Sequence, residues 1–344
     1  MKGLMVKKAF SIAVYIAVFC GTLEIMAQLD YYRIMAVDPP FETIQDKTDI
    51  GFKGVKYGVW QNIRLNRYGF HDFDIYLKEK KTHRIRIMCL GDSVTFGTFS
   101  APYNWPRFLQ SILRANKVDA EVINASMPGN TYTQLVDLFE KEYIGFRPDI
   151  LLIYKDFRSY LGEPFKEKEG RWKRLLRKSY FIERFLDKEP EDPRARLALK
   201  RRKAKIKDSD CGIAKDAIPN YVKDLERLIR ICRQNGIMLI LSPFPNLTTE
   251  ENKGAYMDYI YALVCYYPAV DPEQCLKSMT EFNDTTRKMA EANGIPYADI
   301  TMGLEHNMEY FHDDCHLSPK GAWVVARNYA ECIFNTLKDR RAGK

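Results

Sequence analysis

A serine, an imidazole and a carboxylate are the groups that together make an alcohol oxygen nucleophilic at neutral pH. The chain carries such a set in two short stretches more than two hundred positions apart. The first is Gly91-Asp92-Ser93-Val94-Thr95-Phe96-Gly97, and the second is His312-Asp313-Asp314-Cys315-His316-Leu317-Ser318-Pro319-Lys320-Gly321. Asp313 and His316 stand three apart on a tight loop, so the carboxylate can hold the imidazole in one tautomer. The opposite ring nitrogen is then able to take the Ser93 proton. Asp92 reads as the residue that caps the turn. By itself Gly-Asp-Ser also makes ordinary turns, so the elements around it have to be considered.

Those elements alternate as a parallel α/β sheet requires. Strands are expected at Arg84–Leu90, Glu121–Ala125, Asp149–Tyr154, Gly236–Ser242 and, shorter, Pro296–Ile300. Helices are expected at Trp105–Ala115, Tyr132–Tyr143, Ala217–Asn235, Met279–Asn293 and Pro319–Leu337. The strands are nearly continuous apolar runs, as in a sheet covered on both faces. Ser93 then leaves the first strand at the carboxyl edge of the sheet, where open α/β folds bind ligands. A helix amino terminus nearby favours developing negative charge.

With these blocks in place the sequence resembles the SGNH/GDSL hydrolases over roughly residues 84–337. Gly91-Asp92-Ser93 resembles the nucleophile block, Asn124-Ala125-Ser126-Met127-Pro128-Gly129-Asn130-Thr131 the second block, and Asp313-x-x-His316 the last. The resemblance implies a flavodoxin-like, three-layer α/β/α sandwich with a five-stranded parallel sheet. It also implies that the Gly129 backbone N–H serves the oxyanion. The family's third block, Gly-x-Asn-Asp, is altered here to Asp156-Phe157-Arg158-Ser159. Two accounts stand: Arg158 donates to the oxyanion in place of the family's asparagine, or the loop has drifted and activity is reduced or retuned.

Other residues invite other chemistry. His312 and His316 with Asp313 and Asp314 could be read as metal ligands, but no third protein ligand is identifiable, and neither a metal nor a cofactor is expected. His71, His83 and His306 read as surface or loop residues. Cys265 and Cys275 could form a disulfide if geometry permits, whereas Cys89 reads as a small buried hydrophobe. The tyrosines of Tyr256–Tyr267 could line a substrate groove or pack in the core.

The 344 residues, 46% apolar and 28% charged, suit a globular body rather than a disordered chain. A mean hydropathy of −0.36 excludes a polytopic membrane protein. The net charge of +8 is concentrated in 17 Lys/Arg against 7 Asp/Glu between Lys166 and Lys207, leaving the rest near neutral; no nucleic-acid motif accompanies it. Residues 161–216 are therefore expected to be a helical basic insert. Trp172, Leu175, Leu176, Ile182, Phe185 and Leu186 would lie on an amphipathic helix, followed by a very basic helix over Ala195–Ile206. This insert is either a solvated cap or a lid that rests on anionic lipid or polymer. Ala9–Ala27 carries a single charge, Glu24, and follows Lys2, Lys7 and Lys8, which suits a signal anchor with its amino end in the cytoplasm and the body outside; a cleaved signal peptide is the alternative.

The expected organisation is an anchor over residues 1–28, a linker and packing segment over 29–82, and the catalytic domain over 83–340. The expected function is a membrane-anchored, extracytoplasmic serine esterase acting on carboxylic esters, including acylated envelope glycans or glycolipids. An O-acyltransferase and a weakly active or non-catalytic glycan-binding protein are the alternatives.

Overall fold

Four of the apolar runs pair as the alternation requires. In the computed structural model, which describes residues 2–37, 40–72, 78, 80, 84–97, 103–162, 164 and 190–342, they form one parallel sheet. Its strands are β5 (Ile85–Gly91), β6 (Ala120–Asn124), β7 (Ile150–Tyr154) and β8 (Met238–Ile240), in the order β6-β5-β7-β8. Every residue of β6, β7 and β8 is buried, and β5 is buried from Arg86 onward. The chain steps from β5 to β6 on one side and then to β7 on the other, so right-handed crossovers put the two connecting helices on opposite faces.

Among the described residues the sheet has four strands, not five. The Pro296–Ile300 segment makes a single parallel bridge, Leu241 to Tyr297. Pro296 contributes only its carbonyl, to Leu241 N, and the Ala298 N–H returns to Leu241 O. The chain then turns, with Ile300 N bonded to Ala298 O, so no further ladder forms.

Helices Trp105–Ala115 and Pro319–Ala342 pack together, with the Trp105 and Tyr329 rings stacked 4.8 Å apart. The Ala217–Gln234 helix packs against both Tyr132–Lys141 and Pro272–Asn293. Side chains fix the starts of three of these helices. Asn104 accepts from Arg107 N, and Thr131 and Gln134 form a reciprocal capping box. Asp271 caps Pro272–Asn293, which therefore begins well before the expected Met279. Of the basic insert, a helix over Pro193–Ala204 is observed; the amphipathic run from Trp172 to Leu186 lies outside the described residues. A Lys253–Val264 helix accounts for much of the tyrosine-rich stretch, with Tyr256, Tyr259 and Tyr261 packed against the core.

The region before β5 is more regular than a linker. Gln45–Thr48 (β1) and Gly51–Gly54 (β2) form a hairpin, and Val59–Trp60 (β3) and Ile63–Arg64 (β4) form a second. These belong to the compact unit Glu42–Phe165 plus Asp192–Lys344, which contains the sheet. The amino-terminal helix, in the other unit, runs Lys2–Val37 and does not end near residue 28, because no Gly or Pro follows Gly21 before Pro39. Its Phe10–Asp30 window has a mean hydropathy of 1.9 and none of it is buried; among the described residues no other helix is long and apolar enough to cross a membrane. No disulfide joins Cys265, which caps the end of Lys253–Val264 with its Sγ 3.5 Å from Pro193 O, to Cys275 in the Pro272–Asn293 helix.

Candidate active site

Register places the Ser93 turn. Gly91, the last residue of β5, is opposite Tyr154, the last of β7. Beyond it a single helical turn runs Ser93–Phe96, capped by Asp92, whose Oδ1 accepts from Val94 N at 3.2 Å. Gly97 closes the turn in the left-handed region (φ 80°), a conformation glycine adopts at no steric cost. Three neighbours brace the turn from behind. The Thr95 hydroxyl donates to Tyr154 O at 2.6 Å, and Asn124 Nδ2 donates to Thr95 O at 3.1 Å. His71, read from sequence as a surface or loop residue, is 1% exposed and contacts Phe96 O through Nδ1 at 2.7 Å. Burial holds its pKa down at about 4, so the ring is neutral and Nδ1–H is the donor.

The last block arrives on a loop tied to its own carboxylate. Asp313 Oδ1 accepts from Cys315 N at 3.0 Å and from His316 N at 2.8 Å. Asp313 Oδ2 lies 2.7 Å from His316 Nδ1, and His316 Nε2 lies 2.8 Å from Ser93 Oγ. Desolvation opposes ionisation of Asp313, but the hydrogen bond and charge of His316 together with the backbone N–H groups of Cys315 and His316 outweigh it and hold the carboxyl well below its ordinary range. An ionised carboxylate only accepts hydrogen bonds. Nδ1 therefore carries the imidazole proton, and Nε2 is the acceptor for the Ser93 hydroxyl. Ser93, Asp313 and His316, picked out by type and spacing, are brought into one continuous hydrogen-bonded row.

The second block is braced by the first hairpin. Gly129 is exposed with φ 85°, and Gln45 Nε2 donates to Pro128 O at 2.7 Å. Asn130 Oδ1 accepts from Phe52 N at 2.7 Å while its Nδ2 donates to Phe52 O at 2.8 Å. The side chain of Asn130 thus adds one rung to β2. Sequence reasoning missed this bracing, since Gln45-Asp46-Lys47-Thr48 has no apolar period.

The altered third block carries a row of charges. Lys155 Nζ lies 2.7 Å from Asp92 Oδ2 and 2.5 Å from Asp156 Oδ1. Arg158 Nε lies 3.1 Å from Asp156 Oδ2, and Arg158 Nη2 donates to Asp314 Oδ2 at 2.7 Å. Asp156, between two cations, has its pKa held down at about 2; desolvation pulls the other way but Lys155 and Arg158 prevail. Asp92 and Asp314 each face one cation of the row, and desolvation raises both carboxyls above their ordinary range. Arg158, read from sequence as an oxyanion donor or as part of a drifted loop, donates to Asp314 through Nη2, while its Nε lies 3.1 Å from Asp156 Oδ2 without the geometry of a hydrogen bond.

Among the described residues one group of potential metal ligands is close enough to share an ion: Asp313, Cys315 and His316, whose donor atoms lie within 4.8 Å of one another. Cys315 is buried, and burial raises its thiol pKa well above the ordinary value, which disfavours the thiolate a metal needs. His312 is exposed and stands outside that group.

No family model and no curated protein matches the sequence. Several solved structures are similar to it in part. A candidate GDSL-like lipase from Parabacteroides merdae is 16% identical, covering 72% of this chain and 94% of its own, with a TM-score of 0.45. A GDSL-like lipase from Bacteroides thetaiotaomicron is 13% identical, with coverages of 73% and 89% and a TM-score of 0.41. An acetylxylan esterase from Geobacillus stearothermophilus, solved as a catalytic mutant, is 15% identical, with coverages of 72% and 93% and a TM-score of 0.44.

Proposed function

We propose that this protein is a serine ester hydrolase of the SGNH/GDSL type. The observation that carries the reading is the row Asp313 Oδ2 to His316 Nδ1 at 2.7 Å and His316 Nε2 to Ser93 Oγ at 2.8 Å. In the proposed reaction the Ser93 oxygen attacks the ester carbonyl while its proton moves to His316 Nε2. The imidazolium formed is stabilised by the Asp313 carboxylate. The tetrahedral oxyanion is met by the backbone N–H groups of Ser93 and Gly129. Collapse breaks the carbon–oxygen bond of the leaving alcohol, which takes the proton from His316, and leaves an acyl-serine. Water, deprotonated by the same Nε2, then attacks the acyl carbonyl; collapse breaks the bond to the Ser93 oxygen, which takes the proton back from Nε2, and the acid is released.

The proposed setting is the outer face of a membrane. The support is the apolar Phe10–Asp30 window preceded by Lys2, Lys7 and Lys8, an arrangement that keeps the amino end cytoplasmic. An enzyme held there would meet acylated envelope glycans or glycolipids as substrates. The test is 4-nitrophenyl acetate hydrolysis and fluorophosphonate labelling of the purified full chain, compared with Ser93→Ala. Loss of both in the variant supports the reading; a wild-type protein that neither labels nor hydrolyses ends it.

A further inference from the structure

The row of charges beneath the candidate site joins the two loops that must meet for catalysis. It runs Asp92, Lys155, Asp156, Arg158, Asp314, with signs alternating at every step and contacts of 2.5–3.1 Å. Asp92 immediately precedes Ser93, and Asp314 stands two residues before His316. The side chains of Asp92, Lys155 and Asp156 are 4–9% exposed, and those of Arg158 and Asp314 are 18% and 13%. Taking five charges largely out of water is costly, and a buried ion pair is weak support for stability as such. What a hydrogen-bonded charge pair does supply is direction, and a guanidinium fork supplies more of it than an ammonium.

We propose that Arg158 is a positioning residue for the reaction: through Asp314 it fixes the loop of His316 against the turn of Ser93, rather than donating to the oxyanion. The inference rests on the esterase reading and adds to it a division of labour. The oxyanion is left to backbone donors, and the third block sets the Ser93–His316 spacing. Three observations converge on it. Arg158 Nη2 is bonded to Asp314 Oδ2 and Arg158 Nε faces Asp156. Asp314 is anchored a second way, its backbone carbonyl accepting from Leu247 N at 2.8 Å. The far end of the row, Lys155 to Asp92, reaches the residue that caps the nucleophile turn. A misplacement of about 1 Å between reacting groups costs on the order of 100-fold in rate.

The test compares kcat and KM for 4-nitrophenyl acetate, and the fluorophosphonate labelling rate of Ser93, in the full chain and four variants. These are Arg158→Lys, Arg158→Asn, Asp314→Asn and the double Arg158→Asn/Asp314→Asn, each first checked for a cooperative thermal transition. Positioning through Asp314 predicts that Arg158→Asn and Asp314→Asn each lower kcat about 10- to 100-fold with KM within about twofold. It also predicts that the double variant is no worse than the worse single, and that Arg158→Lys recovers part of the loss. If Arg158→Asn does not fold, Arg158→Lys and Asp314→Asn carry the test, the inference requiring kcat to fall in both. A direct oxyanion role predicts instead that Asp314→Asn works at the wild-type rate, and any loss Asp314→Asn does show would then multiply with that of Arg158→Asn in the double variant; either result overturns the inference. So does wild-type kcat in Arg158→Asn. A wild type with no Ser93 labelling refutes the esterase reading itself, and is distinguished by the silence of every variant.

Discussion

Gly91 and Tyr154 face each other across the ends of β5 and β7 with no room for a side chain between them. A Cβ on Gly91 would lie 2.2 Å from Thr95 Oγ1 and 2.3 Å from Tyr154 O. The same Thr95 hydroxyl donates to Tyr154 O, so the nucleophile turn is pulled onto the neighbouring strand across that gap. Gly91→Ala is expected to push the turn off β7 and to lose the fold or at least about 2–3 kcal/mol of stability, the range of an overpacked core site. Circular dichroism melts of the purified variant check it; a wild-type melting temperature would show that the contact yields.

Gly129 is a different case, and the contrast is diagnostic. A Cβ there would meet the Phe52 ring at 3.5 Å and Gln45 Nε2 at 4.0 Å, both ordinary contacts, but its φ of 85° strains any other residue. Gly129→Ala is expected to cost about 1–2 kcal/mol of stability. If its N–H serves the oxyanion, the tilted peptide loses about 10²-fold or more in kcat. Steady-state kinetics of folded Gly129→Ala at saturating ester decides it: a kcat unchanged from wild type removes this N–H from the proposed mechanism.

Asp313→Asn isolates the role of the tautomer. Its amide cannot accept the Nδ1–H as the carboxylate does unless its oxygen is turned to it, and an amide N–H aimed at Nδ1 instead forces the proton onto Nε2. The Ser93 hydroxyl then has no acceptor. The expected loss is about 10⁴-fold in kcat with KM little changed. Measured by 4-nitrophenyl acetate turnover, a loss under tenfold would contradict the assignment.

How far the sequence led is clearest at the loops. Four strands were readable because β5 to β8 are nearly continuous apolar runs, broken only by polar residues such as Arg86 and Glu121, and helix starts were readable where a capping side chain such as Asn104 or Thr131 stands at the boundary. The Ser93, Asp313 and His316 row was readable because residue type and local spacing limit what a Gly-Asp-Ser turn and an Asp-x-x-His loop can do. The partner of Arg158 was not: it is 156 positions away, and no local pattern ties a guanidinium to one aspartate among many. The bracing of the second block by Phe52 and Gln45 was hidden for the same reason. Backbone groups and a polar hairpin leave no periodic trace.

Lys155 pairs with both Asp92 and Asp156, and removing its charge leaves the buried Asp92 without this cation and Asp156 with Arg158 alone. Lys155→Met is expected to destabilise by about 3–5 kcal/mol, the cost of orphaning buried charges. Neutralising both partners as well, in Asp92→Asn/Lys155→Met/Asp156→Asn, should recover much of that loss, because the penalty belongs to the unpaired charges and not to the missing ammonium. Thermal melts at pH 7 report both; a triple variant as unstable as Lys155→Met would show that the packing of the lysine stem, and not charge, is what matters.

His71 makes stability depend on acidity in a window fixed by its two pKa values. Its ordinary value is 6.5, and in the fold burial lowers it to about 4, although the Phe96 carbonyl favours the protonated form. Between those values the unfolded chain binds the proton and the folded chain does not. Stability from this residue is therefore fully present above pH 6.5 and is lost as the pH falls toward 4. A depression of this size corresponds to roughly 2–3 kcal/mol by pH 4.5. Replacing His71 with Gln, whose amide can still donate to Phe96 O, removes the titration but not the hydrogen bond. The wild type should lose markedly more melting temperature than His71→Gln between pH 7 and 4.5, although the variant starts lower at pH 7 because the amide fills the ring's buried site less well. Equal losses in the two proteins would mean that the ring takes up its proton without leaving its place behind the nucleophile turn.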